Sequence, residues 1–219
     1  MARDVVWLAS ADPGVGRPPK HSLSDITLAA VTIADRDGLV AMTMRTVASE
    51  LGTAASSLYR YVSSRDDLID LMVDHVAGEY TLTPPTGDRL EQVVTLAAQG
   101  VEIHRRHLWL TDVRDTPVPG PNGLAFNDHV MSLLDQLPVS DGRKLTAFAV
   151  VNALISAFSR AGAVSTSPER QESRAQYLAQ VIADGRYPHL ASLAVGAAAE
   201  PDDVFPDVIR GVLRGLLEH

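Results

Sequence analysis

Apolar positions recur at helical spacing along most of this chain, and no stretch alternates as a half-buried strand would. Ser22 to Asp37 reads as a first helix, with Ile26, Ala29, Ala30 and Ile33 on one face and Leu23 joining them. Ser22 and Asp25 have the spacing of a capping box, and Asp37-Gly38 ends the helix. Leu39 to Met42 leads to Thr43, an N-cap for the next helix. From Thr43 to Arg65, two short patterns meet at Gly52. Met44 to Leu51 buries Val47, Ala48 and Leu51. Ala54 to Tyr61 turns Leu58 inward, with Val62 beyond it. A sharp turn at Gly52 suits a residue without a Cβ. Two short helices around a glycine turn make a helix-turn-helix whose outer face carries Ser56, Ser57, Tyr59, Arg60 and Tyr61. That face suits a DNA major groove; the plainer alternative is a helical hairpin in an ordinary core.

The remainder is also predicted helical. Ser63-Ser64-Arg65-Asp66-Asp67 offers S-x-x-D spacing and early acidic residues, which favour a helix N-terminus. Leu68, Leu71, Met72, His75 and Val76 follow on one face, to about Tyr80. Thr83-Pro84-Pro85-Thr86-Gly87 is the clearest break. It divides a 1–21 arm and a 22–82 unit from an 83–219 bundle. Beyond it, Asp88 to His107 and Leu124 to Leu137 have inward apolar stripes, with Thr116 to Gly123 as a loop. Asp141 to Val164 is apolar nearly all round, so it is central to the core or shared with a second subunit. Ser167-Pro168 starts a helix reaching about Asp184. Tyr187 to Glu200 reads as a short helix and a loop. Pro201 to Leu217 ends the series with Phe205, Ile209, Val212, Leu213 and Leu216 on one stripe. The fold class is all-α.

Composition limits the chemistry. Hydrophobic residues make up 46% and charged residues 21%, enough apolar mass for a packed core. No long uncharged apolar run spans a membrane, and no secretory signal opens the chain. Cysteine is absent, so disulfides and thiolate metal sites are excluded. A cytoplasmic location is the expectation. The net charge of −8 runs against DNA binding until its distribution is read. Residues 1–65 hold seven Lys/Arg against six Asp/Glu, whereas residues 66–219 hold twelve against twenty-one. The acidity therefore lies outside the proposed reader. In the arm, Gly16-Arg17-Pro18-Pro19-Lys20 suits a minor groove, or else belongs to a disordered tail. No Gly-x-Ser-x-Gly elbow, phosphate loop or H-E-x-x-H occurs, which argues against an enzyme. His104 and His107 alone make a weak metal signal. Glu102 and Arg106 read as an i, i+4 pair on a solvated face. No cofactor is implied.

The run Asp37-Gly38-Leu39, Thr43-Met44-Arg45-Thr46-Val47-Ala48-Ser49-Glu50-Leu51-Gly52, then Ser57-Leu58-Tyr59-Arg60-Tyr61-Val62-Ser63-Ser64-Arg65-Asp66-Asp67-Leu68 resembles the DNA-binding domain of TetR-family transcriptional regulators. The resemblance covers about residues 22–72. More weakly, His104-Arg105-Arg106-His107-Leu108-Trp109-Leu110 and the final helix resemble the ligand-binding, dimerising half of the tetracycline-repressor subgroup. What it implies is a ligand-responsive regulator, most simply a repressor released from a palindromic operator by a small molecule. The alternative is a helical interaction module without specific DNA binding.

Carried over by position, Arg45 would contact a phosphate or a base edge, and Ser56, Ser57 and Arg60 would face the groove, with Arg60 placed for a guanine contact. Tyr59, Tyr61 and Arg65 would hold phosphates, and Arg17 and Lys20 the minor groove. Ala54 and Ala55 depart from members with longer polar readers, which leaves more readout to DNA shape and the arm. The resemblance also implies a pocket lined by Met72, His75, Gln99, His104, Trp109, Asn127, Met131, Phe148, Asn152 and Ile155. It implies a homodimer through Asp141–Val164 and Pro201–Leu217. Val151, Leu154, Phe158 and Gly162 would face the partner, beside Gly211 and Gly215.

Overall fold

The computed structural model describes residues 6–8, 21–113, 116–135, 137–163, 168–189 and 201–217, and among these the regular elements are helical. They are α1 (Leu23–Asp37), α2 (Met44–Glu50), α3 (Ala55–Leu58), α4 (Arg65–Ala77), α5 (Arg89–Arg106), α6 (Pro121–Leu134), α7 (Asp141–Ala163), α8 (Pro168–Ala183) and α9 (Pro201–Leu217). Short 3₁₀ turns occupy Val6–Leu8 and Leu108–Asp112. Arg17, Lys20, Val164, Ser167 and all but the start of the Tyr187–Glu200 stretch lie outside the described residues.

The local signals at the helix starts are realised in hydrogen bonds. Ser22 Oγ accepts the Asp25 amide at 3.1 Å, and the Asp25 carboxylate accepts the Ser22 amide at 2.8 Å. These bonds hold the Asp25 carboxyl below its usual range. Thr43 and Thr46 form the same reciprocal pair at α2. Ser64 caps α4 through the Asp67 amide, and Asp88 caps α5 through the Leu90 and Glu91 amides. Gly52 turns the chain with φ +60°, a left-handed conformation that costs glycine little.

Three boundaries differ from expectation. The second helix of the helix-turn-helix is a single turn, α3, rather than Ala54 to Tyr61. Ala54 is an N-cap without a side-chain acceptor, and Tyr59 to Tyr61 continue as a turn. The bridging helix stops at Ala77, three residues early. Pro121 opens α6 inside the predicted loop, because proline at the first helical position loses no needed hydrogen bond.

The helices bury two cores. The first gathers Ile26, Ala30 and Ile33 of α1 with Met42, Val47, Leu58, Val62, Leu68 and Met72. It also takes in Ile103 and Trp109, from beyond the proline-rich break. Val6 and Trp7 pack against it from the N-terminal side, and Trp7 Nε1 donates to the Val118 carbonyl at 3.0 Å. The second core joins α5, α6, α7 and α9 through Val93, Ala97, Leu133, Val151, Ile155, Ile209 and Leu213. Tyr80, just past α4, touches both.

The free face of α7 is not the one expected. Val151 is buried against its own bundle, and Leu154 and Phe158 are half-buried on it. The side chains of Gly162's stretch lie outside the description. Exposed instead are Leu145, at 58%, and the small residues Ala149, Ala153 and Ala157. A period of four puts all four on one stripe. On α9, Gly211 and Gly215 face open space. Helix α8 is exposed along its described side chains except for half-buried Val181 and Ile182.

Candidate functional site

The helix-turn-helix presents a compact polar face. Arg45 on α2 and Ser56 on α3 are exposed, and so are Tyr59 (54%) and Arg60 in the following turn. Ser57, Tyr61 and Arg65 are half-buried. Leu58 and Val62 anchor this surface from beneath, at 1% and 2% exposure. The face is therefore carried by two fully buried apolar pegs on either side of Tyr59–Tyr61.

Two residues assigned to phosphates have internal duties. The Tyr61 hydroxyl donates to the His21 carbonyl at 2.8 Å, tying the reading unit to the entry of α1. Arg65 Nε donates to the Met42 carbonyl at 3.0 Å, and Nη2 to the Leu39 carbonyl at 2.7 Å. The guanidinium fork thus braces the α1–α2 connection, leaving Nη1 for an outside acceptor. A lysine has one compact donor head and cannot reproduce the fork. Arg65→Lys is expected to lower folding stability by about 1 kcal/mol, read as a lower urea midpoint. An unchanged midpoint with weakened DNA binding would make phosphate contact its main role.

The sequence reading missed the junction between the two cores. His107, the C-cap of α5, is buried with its ring between two carboxylates. Nδ1 lies 2.7 Å from Asp35 Oδ1 on α1, and Nε2 lies 2.9 Å from Glu79 Oε1 beyond α4. Carboxylates accept, so both contacts are hydrogen bonds when the ring carries both protons. Asp35 Oδ1 also accepts Trp109 Nε1 at 2.8 Å, and Arg106 donates to the other oxygen of Glu79. Burial pushes the Glu79 carboxyl up, but its bonds to Arg106 and His107 outweigh that and hold it below its usual range. The carboxylates occupy opposite ring nitrogens and do not converge on one point. Among the described residues, no group of three or more His, Cys, Asp or Glu is placed to hold a metal. The signal available in sequence was the apolar Leu-Trp-Leu run directly after the basic one.

The expected pocket residues do not gather in one place. Met72 is fully buried in the first core, and Trp109 joins it there at 2% exposure. His75 points outward and is exposed. For Met72 and Trp109 the cause is shared: periodicity finds an inward face but not which of two cores it meets. Gln99 is half-buried and its carbonyl accepts the Thr81 amide at 2.9 Å, so it secures the chain after α4. Phe148, Asn152 and Ile155 of α7 do come together, with Phe126 of α6, around a cavity of about 10 Å³ in the second core. That is room for about one water. Asn127 and Met131 are half-buried on α6, and Met131 packs on the same core without lining the cavity. His104 lines a different space, an open cleft of about 240 Å³ between α4, the end of α5 and the residues Leu110, Val113 and Pro117. Tyr80 lies in its wall and stacks on Phe126, with centroids 4.2 Å apart.

Known proteins show the same organisation. The family described as "Bacterial regulatory proteins, tetR family" matches residues 26–72, and "Tetracyclin repressor-like, C-terminal domain" matches residues 81–219. The HTH-type transcriptional repressor DrrR1 of Streptomyces coeruleorubidus is 31% identical over 225 residues, covering 97% of this chain and 83% of that protein. Apo ActR from Streptomyces coelicolor superimposes with a TM-score of 0.78 at 27% identity, over 92% of this chain and 97% of ActR. ActR in complex with actinorhodin gives 0.78 at 26%, over 90% and 95%. With both halves matched in order, the chain belongs to the TetR family of bacterial transcriptional regulators.

Proposed function

We propose that this chain is a homodimeric repressor that holds a palindromic operator and lets go when a small molecule enters its C-terminal bundle. Family membership makes it a DNA-binding transcriptional regulator and not an enzyme. The observation that carries the rest is the exposed cluster of Arg45, Ser56, Tyr59 and Arg60 on a helix-turn-helix whose first helix is held by the Thr43–Thr46 capping box. Arg60 would read a base edge, Arg45, Tyr59 and the free Nη1 of Arg65 would hold the backbone, and the arm residues Arg17 and Lys20 would lie along the minor groove. Small residues on α7 and α9 allow two copies to approach closely, and a two-fold dimer would set the reading heads about one helical turn of DNA apart, roughly 34–36 Å. A ligand-bound ActR supports a small-molecule effector for this chain. Helix α4 belongs to the first core and also walls the cleft at its far end. A ligand preferring a tilted α4 would misalign the two heads, and linkage requires DNA to weaken ligand binding by the same factor.

The test is selection of bound fragments from genomic DNA by the purified protein at physiological salt. Recovered sites should be palindromic, with half-sites about one turn apart. No enrichment above non-specific DNA would overturn the reading.

A further inference from the structure

The cleft and the small cavity lie at the two ends of one aromatic row. Tyr80 stacks on Phe126 at 4.2 Å, and Phe126 meets Phe148 at 6.2 Å. Tyr80 belongs to the cleft, Phe126 and Phe148 to the cavity. The cavity admits little more than a water, so of the two only the cleft has room for a larger guest. Val73, Val76, Ile103, Leu110 and Pro117 supply apolar walls, and no charged residue lines it among the described residues.

Two polar groups interrupt those walls, the Tyr80 hydroxyl and the His104 ring. His104 Nδ1 lies 2.9 Å from the Gly100 carbonyl. That carbonyl can only accept, so Nδ1 carries the hydrogen. Burial lowers the His104 pKa, more than the Gly100 bond raises it, and the nearby His107 lowers it further. The ring is therefore neutral near pH 7, and its one proton is already placed. Nε2 is left as a hydrogen-bond acceptor without a partner among the described residues. An acceptor in an apolar cleft selects a guest that donates, because a guest lacking the donor leaves it unpaired.

We propose that the cleft binds an uncharged planar aromatic molecule bearing a hydroxyl group, with its ring extending the Tyr80–Phe126 row and its hydroxyl donating to His104 Nε2. This rests on the effector reading above and names the chemistry of the guest. Offset stacking supplies the ring's orientation, and the His104 acceptor fixes which edge turns inward.

The probes are 2-naphthol and 2-methoxynaphthalene, which share a ring system and differ in the donor. Calorimetric titration of the full-length protein near pH 7 should show the naphthol binding about tenfold tighter than its ether. His104→Phe should erase that preference while retaining the ether, and His104→Gln, which keeps an acceptor, should preserve part of it. A wild-type readout covers any folding failure of the variants: the ¹⁵N resonance of His104 Nε2 should move on adding naphthol and stay in place with the ether. Equal affinity for the two probes, binding of neither, or a still Nε2 resonance would overturn the proposal. A DNA fragment recovered by genomic selection, titrated with naphthol in parallel, separates the two claims. Selective naphthol binding with undisturbed DNA upholds the site and sinks release by ligand. Specific DNA binding with no naphthol binding does the reverse.

Discussion

Trp109→Ala is expected to cost about 3–5 kcal/mol of folding stability, the usual range for removing a large aromatic from a core. Trp109 is 2% exposed, sits in the first core, and donates its indole N–H to Asp35 at 2.8 Å. Alanine would leave a cavity beside α1 and α4 and would take a partner from Asp35. The loss should appear in urea unfolding as a lower midpoint with an unchanged slope. Trp109→Phe separates the two terms. It keeps a ring in the site but lacks the donor, so it should cost about 1–2 kcal/mol. A Trp109→Ala protein within about 1 kcal/mol of wild type would mean that the site collapses around the deletion. The same variant should weaken DNA binding at temperatures where the folded fraction is full, since α1 would lose its fixed relation to the bundle.

Arg60→Ala carries the second large effect, and it falls on binding rather than on folding. Arg60 is exposed and pairs with no side chain among the described residues, so its removal should leave the unfolding midpoint near that of wild type. Operator affinity at fixed salt should drop by about 1–3 kcal/mol, roughly tenfold to a hundredfold or more. The pattern of loss identifies the contact. If the guanidinium grips a guanine edge, specificity relaxes at one base pair and the salt dependence is nearly kept. If it lies on a phosphate, affinity falls alike for all sequences and the slope of log K against log salt falls by about one. An undiminished shift of the operator by the variant would remove Arg60 from the interface.

The reading head was legible in the sequence because its signals are local. Ser22 with Asp25, Thr43 before Met44, and Gly52 act within one turn of chain, and each does its expected work. The inward residues Val47, Leu58 and Val62 follow from short-range spacing. The effector region was less legible, for a different reason. Met72, Trp109 and Phe148 all read as inward, but spacing along a helix does not say which of two cores an inward residue enters. Met72 and Trp109 went to the first, and Phe148 to the second. His75 lay next to the inward stripe of α4 and fell on its exposed side. The contacts of Arg65 with Leu39 and Met42, and of His107 with Asp35, span 26, 23 and 72 residues, distances over which pattern carries no information.

The same long contacts bear on how such regulators can be recombined. The proline-rich stretch at Thr83–Gly87 invites a clean exchange of reading heads between relatives, since it looks like a seam. In space the seam runs elsewhere. Asp35 travels with the head, while His107 and Trp109 travel with the bundle, and Glu79 sits on the head's side of the cut. A foreign head lacking carboxylates at the positions of Asp35 and Glu79 would leave the imidazole and the indole N–H buried without acceptors. Heads and bundles of this kind are interchangeable only as matched pairs, so new operator–effector combinations must arise with these four side chains kept in step.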